Sequence, residues 1–585
     1  LGSPEMAVRV GPSVVVATDS AAGLALARRL GDLARPVVVL DERSPAFDAE
    51  MIHPLPWRTV WGTVAAVEGT IGAFRVTVAR TQALDLETCI QCRRCVPVCH
   101  TAAISEGLRL RAELCDRCGD CVRVCGNVGA IRIPRSETLT LEADQVVVIG
   151  PEAAGDAPAR TGLYRLPSPA PGQVDEVGWA VLSRIGEFRK PDSVAYDPGT
   201  CAGGAAGHES CGLCVGACPY HAIGRDPDNR LRIRVDSRAC EGCGACVAVC
   251  PTSSLTFTDP GPEDLYARMA ALLAPLPGAP EAPLVLAFHC PEQGAAALDA
   301  AGRRRLGYPA TVLPVPMACL RHVSDANILT AFRLGAAGVA LLGCERCPHG
   351  AREGLLGTLA VARTVLDAAG LGADRLALVA GDELRAMIDA LAAFAGGLSP
   401  SPVRWDGRGA LPGRNREAIE EAVRAFLAAG REPGRVPVPA DQPFGVPEVR
   451  VGDCTLSRAC VNVCPTHAFR FSEERQALEL KRLACVGCGL CVAACPERAI
   501  AVRPDLPFER RALDWETVVQ DEPVTCLKCG KPFANRRAIE AVEARLQGLP
   551  GLGDTFAGSR RELLRMCPNC RAVAAVLEMQ QGWEP

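Results

Sequence analysis

The chain has 585 residues, and its 63 Lys and Arg side chains nearly balance its 67 Asp and Glu side chains, leaving a formal net charge of −4. This length exceeds what one hydrophobic core supports, and the near-neutral charge argues against nucleic-acid binding. The 31 cysteines do not suggest a disulfide scaffold, because disulfide-dense proteins are mostly small and secreted. With no secretion signal and no apolar run of about 20 residues, the sequence predicts a cytoplasmic, multidomain, metal-binding protein without a transmembrane segment.

Strand and helix patterns alternate at the start of the chain. Apolar runs at residues 14–17 and 37–40 predict strands on either side of a helix at residues 24–30, and a further strand is predicted at residues 146–149. This order is typical of a nucleotide-binding unit. It predicts a degenerate Rossmann-like domain over residues 1–80 and 136–165, interrupted by the first cysteine-rich segment.

The loop after the first strand departs from the dinucleotide-binding pattern. The three glycines of G-x-G-x-x-G correspond to Thr18, Ser20 and Gly23, so side chains obstruct the approach of a pyrophosphate at two positions. We therefore expect a vestigial fold without FAD, in which Asp41 is an ordinary residue at a strand end.

Four cysteine runs follow the spacing C-x2-C-x2-C-x3-C, which is typical of [4Fe–4S] sites in bacterial ferredoxins. Zinc sites normally combine two separate C-x2-C pairs, so these runs favour cubane clusters. Two further runs are variants: one has nine residues between Cys201 and Cys211 in place of the usual two, and the other has Ser457 in place of its second cysteine. At Ser457 three alternatives remain. In the first the serine oxygen ligates iron, in the second the site holds a three-iron cluster, and in the third the site is empty.

The runs occur in pairs and predict three two-cluster ferredoxin modules, called modules 1, 2 and 3, over residues 81–135, 176–260 and 446–505. In such modules the fourth cysteine of each run ligates the neighbouring cluster. The six predicted ligand sets are Cys89, Cys92, Cys95 and Cys125; Cys115, Cys118, Cys121 and Cys99; Cys201, Cys211, Cys214 and Cys250; Cys240, Cys243, Cys246 and Cys218; Cys454, Ser457, Cys460 and Cys495; and Cys485, Cys488, Cys491 and Cys464.

Residues 284–400 alternate predicted strands, at 284–288, 311–314, 339–342 and 376–379, with helical stretches, which predicts an α/β domain with a largely parallel sheet. Four thiolates suit a [2Fe–2S] centre. The candidate ligands are Cys290, Cys319, Cys344 and Cys347. Zinc is an alternative to the [2Fe–2S] centre as the occupant of this site. A mixed ligand set that includes His289, His322 or His349 is an alternative to four thiolates.

Residues 401–445 are predicted to form a helix and a linker. The helix, at residues 415–430, places Ile419, Ala422, Val423, Phe426 and Leu427 on one face, which is typical of packing against a core. Residues 152–175 and 431–449 are rich in proline and small residues and are predicted to be linkers.

The last four cysteines form two C-x2-C pairs separated by a predicted helix at about residues 535–547. Two such pairs brought together make a tetrahedral site. Residues 520–585 are therefore predicted to form a zinc ribbon-like domain, with a mononuclear iron centre as the alternative. The predicted ligands are Cys526, Cys529, Cys567 and Cys570. Together the elements predict an α/β plus α+β multidomain fold with about six [4Fe–4S] clusters, one [2Fe–2S] cluster and one zinc ion.

Residues 284–390 resemble the delta-subunit family of methyl-viologen-reducing hydrogenases. The resemblance is carried by Cys290, by V-P-M-A-C ending at Cys319, by the following A-F-R-L-G-A-A-G-V and by G-C-E-R-C-P-H around Cys344 and Cys347. It implies a [2Fe–2S] cluster and electron transfer between a dehydrogenase or hydrogenase and a flavoprotein. This chain departs from the family in one respect: the family often has a further cysteine near the first, and this chain lacks it.

Two other parts of the chain resemble known families. Residues 7 to about 255 are similar to the A subunit of heterodisulfide reductases, through W-G-T-V-A-A-V-E-G-T-I-G-A-F-R-V-T-V at residues 61–78. That family binds FAD through a glycine loop, from which this chain departs. The strings C-L-K-C-G-K-P-F and L-L-R-M-C-P-N-C, with module 3, resemble iron–sulfur proteins that accompany molybdenum formate dehydrogenases.

The sequence contains no Ser-His-Asp set, no paired-carboxylate motif and no P-loop, so we expect a non-catalytic subunit. Iron–sulfur clusters carry single electrons. We expect this subunit to relay electrons between a partner dehydrogenase or hydrogenase, such as formate dehydrogenase, and a flavoprotein or ferredoxin-type acceptor. The alternatives are a flavin-containing catalytic subunit like heterodisulfide reductase and an accessory protein for molybdenum-enzyme maturation.

Overall fold

The computed structural model describes residues 5–40, 57–80, 84, 88–108, 110–111, 114–131, 137–150, 158–170, 172–274, 282–345, 347, 349–381, 383–405, 411–439, 441–549 and 561–581. Asp41, which the sequence predicts to be an ordinary strand-end residue, lies outside these residues. In the described part of the chain, no helix combines the length and the apolar character needed to cross a membrane.

The first domain surrounds a parallel sheet. Its elements are β1 (Glu5–Val10), β2 (Ser13–Thr18), α1 (Ala21–Leu30), β3 (Arg35–Leu40), β4 (Arg58–Trp61), β5 (Thr63–Thr70), β6 (Ala73–Arg80), α2 (Asp120–Cys125), β7 (Glu137–Ala143), β8 (Gln145–Ile149), β9 (Leu163–Leu166), α3 (Gln173–Ser183) and β10 (Gly186–Pro191). The parallel sheet has the order β4-β3-β2-β8-β9, and β5-β6-β7 form an antiparallel sheet. β1 and β10 pair as an antiparallel ribbon.

The continuous apolar run of β2 is explained by burial on both faces. Val14 and Val16 pack with α1, whereas Val15 and Ala17 pack with side chains of the antiparallel sheet. Successive residues of a strand point to opposite faces, so a strand covered on both sides lacks polar positions. The sequence-predicted strands and helix at residues 14–17, 24–30, 37–40 and 146–149 all coincide with observed elements.

The cysteine run of module 1 lies between two paired strands. The chain leaves the antiparallel sheet at Arg80 and returns at Glu137, directly opposite. The first domain also reaches further along the chain than the sequence suggests. β9 is an edge strand within the predicted linker 152–175, and α3 and β10, assigned in part to module 2, pack against α1 and β1. A four-residue edge strand carries too short a pattern to be recognised locally.

Module 2 consists of short ribbons and helices. Its elements are β11 (Val194–Tyr196), β12 (Gly204–Ala205), β13 (His208–Glu209), α4 (Leu213–Ala217), β14 (Ile223–Arg225), β15 (Ile233–Val235), α5 (Ala245–Ala248) and β16 (Leu255–Phe257), followed by α6 (Pro262–Leu273). The strand pairs are β11 with β16, β14 with β15 and β12 with β13. The pair β12 and β13 lies in the nine-residue segment between Cys201 and Cys211.

The next domain has a four-stranded parallel sheet. Its elements are β17 (Val285–His289), α7 (Gln293–Arg303), β18 (Val312–Pro316), α8 (Asp325–Arg333), β19 (Gly338–Gly343), α9 (Ala351–Ala368), β20 (Leu376–Ala380) and α10 (Leu384–Gly396). The order is β18-β17-β19-β20, and all pairs are parallel. The chain therefore extends the sheet first on one side of β17 and then on the other. All four strands predicted from the sequence are present, within one or two residues.

The helix predicted at residues 415–430 is α11 (Asn415–Ala429). All five apolar residues of its predicted face are buried, in the same core as residues of α8 and α9. The predicted linker 431–449 contains β21 (Gly434–Pro437) and β22 (Val446–Val449). Each pairs with a strand about 50 to 75 positions later in the chain, which local sequence patterns do not reveal.

Module 3 and the C-terminal part complete the fold. Their remaining elements are α12 (Ala459–Asn462), β23 (Phe469–Ser472), β24 (Ala477–Leu480), α13 (Leu490–Ala494), β25 (Ile500–Arg503), β26 (Asp505–Phe508), β27 (Glu516–Gln520), β28 (Pro523–Thr525), β29 (Pro532–Asn535), α14 (Arg536–Gln547), α15 (Arg561–Leu564) and α16 (Pro568–Gln581). β21 and β22 pair with β26 and β25, and β27 extends the β23–β24 ribbon. α14 corresponds to the helix predicted at about residues 535–547.

Candidate metal centres

Four cysteines meet at one edge of the parallel sheet β18-β17-β19-β20. Cys290 and Cys344 directly follow β17 and β19, Cys319 lies three residues after β18, and Cys347 is in the loop after β19. The carboxyl ends of parallel strands share an edge, and the crevice where the strand order reverses is a common site for ligands. The four cysteines line one cavity of about 170 Å³. A single water needs only about 10–15 Å³, so the cavity has room for a group of several atoms.

The sulfur atoms at this edge are held by local backbone geometry. The Gly294 N–H, at the start of α7, donates to Cys290 Sγ at 3.4 Å. Burial raises the pKa of Cys319 to about 12, and burial together with the charge of Cys347 raises that of Cys344 to about 12. A metal binds the thiolate, so loading this site must displace the protons. The donor chemistry and the cavity fit an iron–sulfur group.

The three histidines near these cysteines differ in their surroundings. His349 lines the cavity, where its Nδ1 lies 3.0 Å from the Tyr220 hydroxyl and its Nε2 lies 3.0 Å from Glu292 Oε1. His322 stacks on Phe257 at 4.6 Å, and burial lowers its pKa to about 4. His289 is buried, with Nδ1 3.2 Å from the Cys290 carbonyl oxygen. Of the three, His349 is the one that lines the cavity, and both of its ring nitrogens have hydrogen-bond partners there.

In module 2 the structure brings together the sets that the crossover pattern predicts. The charges of Cys250, Cys211 and Cys201 add to burial and raise the pKa of Cys214 to about 12. Burial and the charges of Cys240, Cys243 and Cys218 likewise raise the pKa of Cys246. These interactions join the fourth cysteine of each run with the first three cysteines of the other.

Module 3 repeats the arrangement, and module 1 shows it for the set that contains Cys121. In module 3, burial and neighbouring thiolates raise the pKa of Cys491 and raise that of Cys460 to about 12. The neighbours are Cys485, Cys488 and Cys464 for the first, and Cys454 and Cys495 for the second. In module 1, Cys95 neighbours Cys89 and Cys92, Cys121 neighbours Cys115, Cys118 and Cys99, and Cys125 belongs to the same core.

Ser457 lies where the missing cysteine is expected. It lines a small cavity together with Cys454, Cys460 and Cys495. Its side chain is exposed, as is Cys92 at the corresponding position of module 1. Ser457 therefore occupies the place of the second ligand in the run, and the three alternatives for its site remain.

The C-terminal cysteines form a different kind of site. The sulfur atoms of Cys526, Cys529, Cys567 and Cys570 all lie within 4.8 Å of one another, and Cys529 and Cys567 are 3.9 Å apart. A tetrahedron of sulfurs at the Zn–S distance of about 2.3 Å has edges of about 3.8 Å. This spacing fits one metal ion. Among the described residues, the predicted cluster ligands of the modules and of the α/β domain form no comparable four-cysteine group.

Sequence reasoning missed several residues at these sites. Tyr220, Glu241 and Glu292 line the cavity of the α/β domain, and Cys243 of module 2 lines it too. His100, beside Cys99 in the sequence, lies with Cys118 and Asp120 in a group whose ligand atoms are within 4.8 Å of one another. No spacing in the sequence connects Tyr220 and Glu241 with the cavity, because module 2 contributes them to a site of the α/β domain.

The loop after β2 is filled by its own side chains. Ser20 Oγ accepts the Gly23 N–H at 3.4 Å and caps α1, and the Ser20 N–H donates to Thr18 Oγ1 at 3.0 Å. A Cβ added at Gly23 would overlap the Thr18 side chain, and one at Gly150 would overlap Asp19. A pyrophosphate needs free N–H groups at the helix start and space beside them. The residues present do not fit that group.

Comparison with known proteins identifies the cysteine-rich parts. Residues 285–399 match the family described as methyl-viologen-reducing hydrogenase, delta subunit. Residues 209–254 and 484–534 match one family of 4Fe-4S dicluster domains, and residues 453–500 match a second. This is an iron–sulfur electron-transfer protein with a hydrogenase-delta-like part. The sequence-based predictions of ferredoxin-type [4Fe–4S] motifs in modules 2 and 3 and of the delta-like domain are thereby confirmed, and the motifs of module 1 stay a prediction.

One curated relative is similar to part of the chain. It is the vhu iron–sulfur subunit of the F420-non-reducing hydrogenase of Methanocaldococcus jannaschii, 29% identical over 130 residues. The aligned region is 21% of this chain and 97% of that relative. The likeness therefore concerns about a fifth of this chain.

Proposed function

We propose that the chain relays single electrons between a partner dehydrogenase or hydrogenase and an acceptor protein. In this proposal the α/β domain holds one [2Fe–2S] cluster, the three modules hold up to six [4Fe–4S] clusters and the C-terminal cysteines hold one zinc ion. Such clusters each accept one electron at a potential set by charge, hydrogen bonds and exposure. The observation that carries the proposal is the cavity shared by Cys243 of module 2 and the four cysteines of the α/β domain.

The cysteines form a line of neighbouring sets through the molecule. Cys319 of the α/β domain interacts electrostatically with Cys243. Within module 2, Cys246 interacts with Cys214 of the other set. The line continues from Cys211 of module 2 to Cys488 of module 3.

Within module 3 the line ends with Cys491 and Cys460, which belong to different sets and interact. Five predicted cluster sites thus succeed one another, each beside the next. Such a series supports a relay, because every transfer is then short.

The partners are inferred from the likenesses. The relative from Methanocaldococcus jannaschii is named as the iron–sulfur subunit of a hydrogenase, which supports a redox-enzyme partner at the α/β domain. Formate dehydrogenase is the candidate partner suggested by the strings C-L-K-C-G-K-P-F and L-L-R-M-C-P-N-C together with module 3. The Rossmann-like domain, whose loop does not fit a pyrophosphate, is proposed to act as a scaffold.

An anaerobic native pull-down of the tagged full chain, with partners identified by mass spectrometry, tests the proposal. We expect stoichiometric recovery of a dehydrogenase, a hydrogenase or a flavoprotein. Recovery with maturation chaperones alone would favour the accessory function instead. A stoichiometric flavin in the purified chain would favour a catalytic subunit like heterodisulfide reductase and would contradict the geometry of the loop after β2.

A further inference from the structure

We propose that the nine-residue segment between Cys201 and Cys211, together with Arg225, is a positioning device that fixes the first predicted cluster site of module 2 against module 3. This inference rests on the relay proposed above and assigns a task to the segment, here called the insert hairpin (residues 202–210). The intact runs place two residues between their first two cysteines, so the extra chain is not needed for ligation.

The insert hairpin is a defined structure. Gly204 pairs with Glu209 and Ala205 with His208, and the turn between them contains Ala206 and Gly207 at positive φ. The Ser210 N–H donates to the Gly203 carbonyl at 2.7 Å and closes the base of the hairpin. The Gly203 N–H donates to Cys201 Sγ at 3.3 Å, so the base is joined directly to a predicted ligand.

Arg225 holds both ends of the insert hairpin. One terminal nitrogen of its guanidinium donates to the Gly203 carbonyl at 2.8 Å. The other donates to the carbonyls of Ser210 and Cys211, each at 2.6 Å. A planar guanidinium with several fixed donors makes such a set of bonds, whereas a lysine ammonium at the same place acts as a point charge. Arg225 therefore fixes the backbone that leads into Cys211.

The same segment touches module 3. The Ser210 hydroxyl donates to the carbonyl oxygen of Cys488, and β13 contacts α13. Cys211 and Cys488 interact electrostatically, and they belong to predicted ligand sets of different modules. The one hydroxyl bond thus links the clamped base of the insert hairpin to the backbone of a ligand across the module boundary. Small displacements at such a support weaken a site that depends on close approach.

The test uses the full chain, reduced anaerobically and studied by electron paramagnetic resonance. The module 2 signals are compared between the wild-type chain and the Cys488→Ser variant. The component of their magnetic broadening that this variant lacks measures the interaction between modules 2 and 3. We expect this component to be lost or reduced in Ser210→Ala, Arg225→Lys and Arg225→Gln at unchanged iron content. Arg234→Gln, an exposed arginine on the neighbouring β15, is the matched control and should retain it.

The reduction potential of the module 2 cluster separates position from charge. Arg225→Gln removes a cation beside Cys211 and should lower the potential, whereas Arg225→Lys and Ser210→Ala should leave it near the wild-type value. If Ser210→Ala and Arg225→Lys keep the full inter-module broadening, the positioning role is wrong and the relay is untouched. If Cys488→Ser removes no broadening component from the wild-type spectrum, the proposed relay is wrong at the boundary between modules 2 and 3.

Discussion

A buried ion pair joins the first domain to module 2, and its removal gives a quantitative test of how the domains are held together. Lys190 Nζ of β10 lies 3.0 Å from Glu241 Oε1, and the two side chains are 8% and 14% exposed. Lys190 also donates to the Arg238 carbonyl at 2.8 Å, and the Thr161 hydroxyl donates to the second Glu241 oxygen at 2.7 Å. Glu241 lies between Cys240 and Cys243, so the pair anchors a predicted ligand loop.

Replacing Lys190 with methionine leaves the buried Glu241 carboxylate with one hydrogen-bond donor among the described residues, the Thr161 hydroxyl, and with the electrostatic interaction of Arg160. Coulomb's law at an effective dielectric constant of about 20 gives about 5–6 kcal/mol of attraction at 3.0 Å, part of which offsets the desolvation of both charges. Breaking a buried pair by removing one partner costs about 3–5 kcal/mol. We expect the free energy of opening of the β1–β10 ribbon to fall by this amount, which corresponds to about 10²- to 4 × 10³-fold faster amide exchange.

Native-state hydrogen exchange of residues 186–191, with iron content as a check on the metal sites, measures this change. Arg189→Gln is the matched control, because Arg189 pairs with Glu5 across the same ribbon at 3.3 Å while 78% exposed. An exposed pair of this kind contributes about 0–1 kcal/mol. The double variant Lys190→Met with Glu241→Gln should recover part of the loss. An effect of Lys190→Met no larger than that of Arg189→Gln would refute the reasoning.

Three further substitutions address the metal sites. Cys344→Ser should abolish the electron paramagnetic resonance signal of the [2Fe–2S] cluster proposed for the α/β domain and leave the [4Fe–4S] signals intact; unchanged spectra would contradict the ligand assignment. Ser457→Cys should add or convert a cluster and raise the iron content, unless the serine site is already a complete cubane. Arg416→Gln should lower the potential of the cluster predicted at Cys485, since the buried Arg416 interacts with that thiolate and lies 4.6 Å from the Phe444 ring. The expected change is on the order of tenfold in the reduction equilibrium, about 59 mV for one electron.

Each of these has a control in the same part of the chain. For Arg416, the substitution Arg424→Gln removes the same charge from α11 at a side chain that is 52% exposed, and should leave the potential unchanged. For Ser457, the substitution Ser457→Ala separates ligation from packing, because loss of iron only in the alanine variant identifies the hydroxyl as a ligand. For Cys344, the zinc content reports whether the C-terminal site survives the substitution.

The features that the sequence reveals are those recorded over short distances along the chain. The runs of cysteines at two- and three-residue spacing predict [4Fe–4S] motifs, because one tight loop supplies three thiolates and a fixed offset supplies the fourth. The apolar runs of the central strands β2, β8, β17 and β19 are visible because these strands are buried on both faces. The face of α11 from Ile419 to Leu427 is visible because the helical period selects its apolar residues.

Only the tertiary structure decides which of these units become neighbours. Cys290, Cys319 and Cys344 meet because parallel strands end at a common edge, and Cys243 joins their cavity from a separate module. The pairing of β21 and β22 with β26 and β25, the link from Ser210 to Cys488 and the burial of Arg416 all depend on contacts between residues far apart in the chain. The sequence by itself thus predicts which cysteines act as metal ligands. The arrangement of the predicted metal sites in space follows from tertiary packing, which no local sequence pattern encodes.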